Sequence, residues 1–209
     1  MTRIYLNKVF YMADNDNSTR TNKTQSLALS GLCIAMTAVC SWISIPVPGT
    51  SVPINLATFA VILSGLILGR KYGAISMAVF LLLGSIGVPV FHGFTGGFAI
   101  VAGPTGGFLF GYIALAMITG NYAGNSKTGY IVAVLFGELV LYVFGTLWFV
   151  FVSGSGLSVA SLTAAVAACV LPFLPGDAVK AILAYLVYNR LKRTLPKKLE
   201  ETEDFKKYK

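Results

Sequence analysis

The sequence predicts an all-α integral membrane protein: a bundle of six transmembrane helices with both termini cytoplasmic. Three observations lead there. First, 56% of the 209 residues are hydrophobic and 11% charged, with a mean hydropathy of +0.74, whereas a soluble domain carries roughly 25% charged residues. Second, between Ser26 and Asn189 the only charged side chains are Arg70, Lys71, Lys127, Glu138, Asp177 and Lys180, too few to cover a water-exposed surface. Third, the basic residues alternate with apolar runs as a positive-inside orientation requires. The net charge of +8 therefore points to lipid and not to nucleic acid. Arg190, Lys192, Arg193, Lys197 and Lys198 are placed to lie against anionic headgroups.

Residues 1–24 read as a polar, disordered cytoplasmic tail. They lack the apolar core of a signal peptide, and Met12 is a second candidate start. The membrane domain covers 25–192, and 193–209 form a charged cytoplasmic tail. Ser26–Ile45 offers 20 uncharged residues, enough to span. Ile54–Gly69 and Tyr72–Val88 flank Arg70-Lys71 and lie near the lower length limit. Pro104–Gly120 makes the fourth span, Gly129–Val152 the fifth, and Pro175 to about Asn189 the sixth. Ser158–Val170, at 13 residues, is too short to span and reads as a helical or re-entrant segment at one surface. Six spans put Arg20, Lys23, Arg70, Lys71, Lys127 and the C-terminal cluster on one side. The opposite loops, Ser44–Pro53, Pro89–Ala102 and Ser153–Leu157, carry no Lys or Arg.

Cys33 and Cys40 are seven residues apart on one helix, about 10 Å by helix rise, too far to bridge. Cys169 stands alone. Neither a disulfide framework nor metal-ligand spacing is present in the sequence, so no metal is expected.

The segment FHGFTGGFAIVAGPTGGFLFGY, Phe91 to Tyr112, concentrates glycine between apolar flanks. Non-helical backbone at membrane depth persists only when buried in protein or lining a cavity. Pro104 suits the first turn of a helix, and Gly106, Gly107 and Gly111 give that helix a thin face. Such a face serves close helix packing or close approach to a ligand. Neither Lys-Ser nor Lys-Thr follows, and G-x-G-x-x-G is missing, which excludes a nucleotide site of these kinds. Gly120, at the cytoplasmic end of the fourth span, is expected to tolerate a larger side chain.

Asp177 and Lys180 are three residues apart and share one helix face, which Ala181 and Ala184 keep slim. Ionisable residues inside a span are functional candidates. Glu138 is alone in the fifth helix and reads as a carboxyl group bonded within the bundle. Tyr142 lies one turn later on its face. Trp148 reads equally as an interfacial aromatic. Ala28, Gly31, Ala35 and Ala38 form a small-residue stripe on the first helix, suited to close helix approach.

Four stretches, IPVPGTSVPINLATF, GSIGVPVFHGFTGGFAIVAGPTGGFLFGY, LYVFGTLW and LPFLPGDAVK, resemble the signatures of the biotin-specific S component of energy-coupling factor transporters. The resemblance runs from about Leu27 to Leu191. It implies a six-helix protein of the bacterial plasma membrane that captures biotin at the outer face. It further implies a protein that is not an enzyme, has no cofactor of its own, and works with a transmembrane coupling subunit and two ATPases. By the same resemblance Asp177 and Lys180 belong to the substrate site, with Tyr142, Asn55, Phe91, His92, Gly97, Thr105 and Gly107 as further candidates. The chemistry is consistent: an ionised Asp accepts from the ureido N–H groups, and a Lys donates to the carboxylate or ureido carbonyl. Phe91 and Phe98 offer apolar walls for the thiophane ring. The stripe Ala28, Gly31, Ala35 and Ala38 then docks onto the coupling subunit. Asn55 stands where the family usually has threonine, Gly49 where it has an aromatic, His92 where it has a small residue, and Phe108 where it often has tyrosine. The alternatives are an S component for another vitamin, a self-sufficient carrier or channel with the glycine segment along a pore, and an intramembrane enzyme using Glu138 and Asp177.

Overall fold

The computed structural model describes residues 24–45, 52–121, 126–154, 156 and 158–192; both tails, and with them the basic residues beyond Lys192, lie outside it. The described chain is predominantly helical: α1 Thr24–Trp42, α2 Ala57–Ser85, α3 Phe98–Val101, α4 Gly106–Asn121, α5 Lys127–Val152, α6 Val159–Cys169 and α7 Leu174–Leu191. Two two-residue strands, β1 Ser44–Ile45 and β2 Ile54–Asn55, pair antiparallel between α1 and α2, an element with no periodic signal in the sequence.

α2 is two arms, not one rod. Gly69 adopts φ 72°, ψ 179°, a conformation open to glycine and costly for other residues. A Cβ placed on Gly73 would lie 3.0 Å from Cα of Gly65, whereas eight residues of straight helix separate atoms by about 12 Å. The chain therefore folds back sharply at Gly69-Arg70, and the arms pack glycine to glycine. They correspond to the two short apolar runs flanking Arg70-Lys71. The first arm is the centre of the molecule, with Ala57, Ala60, Val61 and Ile62 wholly buried.

α4 packs against both α2 and α5, and α7 against α2. Small residues set these approaches. A Cβ on Gly120 would stand 2.5 Å from the Arg70 nitrogen, and one on Gly111 would stand 2.6 Å from a Leu141 methyl. The expectation that Gly120 tolerates bulk is thus overturned: the helix end it occupies is wedged against the Gly69 turn. Several buried hydroxyls are satisfied within their own helices, whereas Thr58 reaches another helix and Thr146 Oγ1 has no hydrogen-bond partner. Thr37 donates to Cys33 (2.8 Å), Ser64 to Ala60 (2.7 Å) and Thr119 to Leu115 (2.8 Å), which removes the penalty of an unpaired polar group. Cys33, Cys40 and Cys169 are not disulfide-bonded.

Three described helices, α1, α2 and α5, are long and apolar enough to cross a membrane. The count rises to four if α6 and α7, bent by 49° at their break, make one span. α4, at 16 residues, falls short by the same measure, so six separate spans do not follow from helix length alone.

Candidate functional site

The N-terminal halves of α2, α4 and α7 and the middle of α5 converge on Asp177. Pro175 lies in the first turn of α7, where its missing N–H costs nothing, and Asp177 follows at the end that carries partial positive charge. Asp177 is 2% exposed and Lys180 5%. Oδ1 of Asp177 accepts from Lys180 Nζ at 2.7 Å and from the Thr58 hydroxyl at 3.0 Å, and Oδ2 accepts from the Tyr142 hydroxyl. A buried carboxylate held by three donors, one of them its counter-ion Lys180, meets the condition under which an internal charge is tolerable.

This cluster forms one end of a cavity. Its polar lining includes Ser41, Asn55, Thr58, His92, Thr105, Tyr112 and Tyr142, with Asp177 and Lys180; its apolar walls include Val52, Phe91, Ile100, Phe108, Leu109, Leu141 and Phe173. Few polar groups fixed among apolar walls is the pattern of a small-molecule site. Asn55 Oδ1 accepts from the N–H of Ala57, the first residue of α2, at 3.0 Å, and Tyr112 interacts with both Asn55 and Asp177.

The loop between α2 and α3 forms another wall. Phe91 is 1% exposed; its ring packs edge-on against Phe80 at 5.6 Å and covers Gly84. The Phe91 N–H bonds to the Thr95 carbonyl at 2.9 Å, closing a tight turn through His92 and Gly93. Phe94 stacks on Trp42 at 4.6 Å, and the Trp42 indole donates to the Pro89 carbonyl at 2.9 Å, so the end of α1 holds this loop. Burial pushes the His92 imidazole below its usual range, which keeps it neutral near pH 7 with one donor and one acceptor.

Of the residues singled out in the sequence, Asp177, Lys180, Tyr142, Asn55, Phe91, His92 and Thr105 line this cavity, while Gly97 and Gly107 do not. Gly97 precedes α3 with φ 114° and donates to the Gly84 carbonyl at 2.7 Å, shaping the loop behind the wall. Gly107 lies at the α4–α5 crossing, where a Cβ would stand 2.6 Å from the Phe144 carbonyl. Trp148 clamps the same region, its indole donating to Gly103 at 2.9 Å. Phe98 is 72% exposed and is no part of the lining. Glu138 is buried, and its Oε1 has no hydrogen-bond partner, so the bond expected within the bundle is absent there.

Thr58 and Tyr112 were not singled out. Thr58 is one of two hydroxyl residues, with Ser64, in an otherwise apolar arm, which is a detectable signal. Tyr112 closes the glycine segment but looks like any aromatic of a span until α4 turns it inward.

On α1 the buried face is Ser26, Ser30, Cys33, Thr37 and Ser41. Ala28, Gly31 and Ala35 are exposed, on the opposite side by helix periodicity, and no atom lies within 4 Å of a Cβ placed on Gly31. Ala38 is buried and so departs from the stripe.

The BioY family model matches residues 13–197. A probable biotin transporter BioY of Pyrococcus horikoshii is 37% identical over 169 residues, covering 81% of this chain and 97% of that protein. The biotin transporter BioY of Thermotoga maritima is 36% identical over 171 residues, covering 81% and 96%. Among solved structures, the S component for biotin from an ECF-type ABC transporter superposes with a TM-score of 0.73 at 31% identity, over 83% of this chain and 93% of that one. The S component of a bacterial ECF transporter, at 16% identity and a TM-score of 0.55, shares the fold.

Proposed function

The chain belongs to the BioY family, and from that membership we propose that it is a biotin-binding S component in the cell membrane, seating its ligand in the cavity headed by Asp177 and Lys180. The observation that carries this reading is the buried Asp177–Lys180 pair at one end of an apolar cavity. Biotin has a ureido ring with two N–H donors and a carbonyl, an apolar thiophane ring, and a carboxylate tail. Asp177 suits the N–H groups, Lys180 the carbonyl or carboxylate, and Phe91, Phe108 and Phe173 the thiophane. Asn55, His92, Thr105, Thr58 and Tyr112 supply the remaining polar contacts. Gly97 and Gly107 act through loop shape and helix packing.

The six spans are α1, the two arms of α2, α4, α5 and α7, with α6 at the outer surface. Both polar tails, 1–24 and 193–209, are then cytoplasmic. The fold-back at Gly69 supports this count, since it reverses the chain within α2. The protein binds and hands over its ligand without chemistry and without a cofactor. Uptake requires a transmembrane coupling subunit and two ATPases, and the exposed face of Ala28, Gly31 and Ala35 docks on the coupling subunit. Titration calorimetry of the detergent-solubilised protein tests the ligand: one biotin per chain is expected. Saturable binding of a different vitamin without biotin binding would replace biotin as ligand. Biotin flux into vesicles holding this protein alone would make it a self-sufficient carrier.

A further inference from the structure

The cavity has an inner and an outer end. Asp177, Lys180 and Thr58 are buried. Lys180 lies one turn further along α7 than Asp177, and Tyr112, which interacts with Asp177, lies about two turns into α4. At the other end Pro53, His92, Ile100 and Thr105 are partly exposed. Thr105 immediately precedes α4, and His92 belongs to the loop between α2 and α3. Formal charge is confined to the inner end. Among the described lining residues only Asp177 and Lys180 are charged, and they neutralise each other at 2.7 Å. His92, neutral near pH 7, adds hydrogen-bonding capacity without charge. Residues 46–53, which join β1 to β2, contain neither Lys nor Arg.

We infer that the ligand sits with its ring head inward and that its tail charge is not recognised: the site takes biotin and its uncharged tail amides alike. This rests on the reading of biotin as the ligand. Net buried charge decides the orientation. The Asp177–Lys180 pair is neutral as it stands. A tail carboxylate within about 3 Å of Lys180 Nζ would lie within about 6 Å of Asp177 Oδ1, because Nζ and Oδ1 are 2.7 Å apart. Two carboxylates would then share one ammonium in a desolvated pocket, leaving a charge uncompensated. The ureido head brings no charge. Oδ2 of Asp177 holds one resident donor, Tyr142, and keeps an acceptor position for one ligand N–H. Lys180 spends one donor on Asp177 and keeps others for the ureido carbonyl. The head therefore belongs at the inner end and the carboxylate at the outer end. There the carboxylate keeps water and meets neutral donors such as His92 and Thr105. A solvated carboxylate without a cation adds little to affinity.

The test is calorimetric titration of the detergent-solubilised protein with biotin and with biotinamide, in wild type and in Lys180→Met. In wild type the two ligands are expected to bind within about fivefold of each other, the scale of a solvated charge contact. Lys180→Met is expected to weaken both by the same factor, since Lys180 meets the head that they share. Biotinamide weaker than biotin by about tenfold or more in wild type, the scale of a buried charged hydrogen bond, would overturn the inference. A gap of that size that closes in Lys180→Met would assign the carboxylate to Lys180 and reverse the ligand; a gap that persists would assign the tail charge to another group. Either outcome leaves the biotin reading intact. If Lys180→Met does not fold, the wild-type comparison decides by itself. A wild-type protein that binds neither ligand would sink the biotin reading and this inference with it.

Discussion

The Lys180 ammonium lies 2.7 Å from Oδ1 of Asp177, one turn away on the same helix, and both side chains are almost wholly buried. The pair is therefore a folding constraint as well as the proposed ligand anchor. Removing one member leaves the other as an uncompensated internal charge, which costs on the order of 3–5 kcal/mol.

Lys180→Met should accordingly lower the melting temperature more than the double variant Asp177→Asn/Lys180→Met, which leaves no unpaired charge. Both should bind biotin more weakly by about 2–5 kcal/mol, and Lys127→Met should do neither, because Lys127 is exposed. Calorimetric titration and thermal unfolding of the three variants check this. Equal stability of the single and double variants would mean that the pair does not constrain the fold.

Gly107→Ala and Gly120→Ala should each destabilise the protein by about 1–3 kcal/mol, the usual cost of an overpacked methyl group. The obstacles are backbone atoms, the Phe144 carbonyl for Gly107 and the Gly69–Arg70 peptide for Gly120, and these cannot swing aside. Gly31→Ala, with no atom within 4 Å, should be neutral or stabilising by about 0.5–1 kcal/mol. Thermal unfolding in detergent orders the three, and a stable Gly120→Ala would refute the wedge at the α2 turn.

Gly31→Trp and Ala35→Trp should leave biotin affinity and melting temperature of the solitary protein unchanged and abolish uptake by the complete transporter. The two residues are one turn apart on the face of α1 turned away from the bundle. A ring at either keeps another helix from approaching. Co-purification of the coupling subunit with each variant gives the direct readout, and retained co-purification with normal uptake would move docking elsewhere.

The pH dependence of stability should carry a His92 component. Burial holds this imidazole below the ordinary value of 6.5, so below that pH the unfolded chain takes up a proton that the folded chain declines. Stability conferred by the neutral ring is complete above about pH 6.5 and falls as pH drops toward the folded-state value. His92→Gln should flatten this part of the profile between pH 7.5 and 5.5, measured as melting temperature against pH; parallel profiles would place His92 in water in the folded state.

Trp42→Ala should accelerate biotin dissociation with little loss of stability. Trp42 is half-buried, and its stacking on Phe94 and its bond to Pro89 hold the loop that carries Phe91 and His92 over the cavity. Stopped-flow release of labelled biotin measures it, and an unchanged off-rate would show that the loop is held by its own turn.

Much of this protein was legible in the sequence because the signals are local or compositional. Scarce charge defined a membrane protein, the i, i+3 spacing of Asp177 and Lys180 put both on one face, and the apolar runs on either side of Arg70-Lys71 marked the two arms of α2. What the tertiary structure alone decided depends on where a helix face points, which no single helix encodes. It turned Gly107 and Gly120 into packing positions, brought Thr58 from α2 and Tyr142 from α5 onto one carboxylate from α7, and paired β1 with β2 between α1 and α2. It also put Ser30, Thr37 and Ser41 inward on α1, leaving Gly31 and Ala35 outside. In a lipid solvent, apolar residues cover both faces of a helix, so hydrophobic periodicity is silent on which side is buried. Close approach of backbones and satisfaction of a few polar groups make that choice, and both are properties of the assembled bundle.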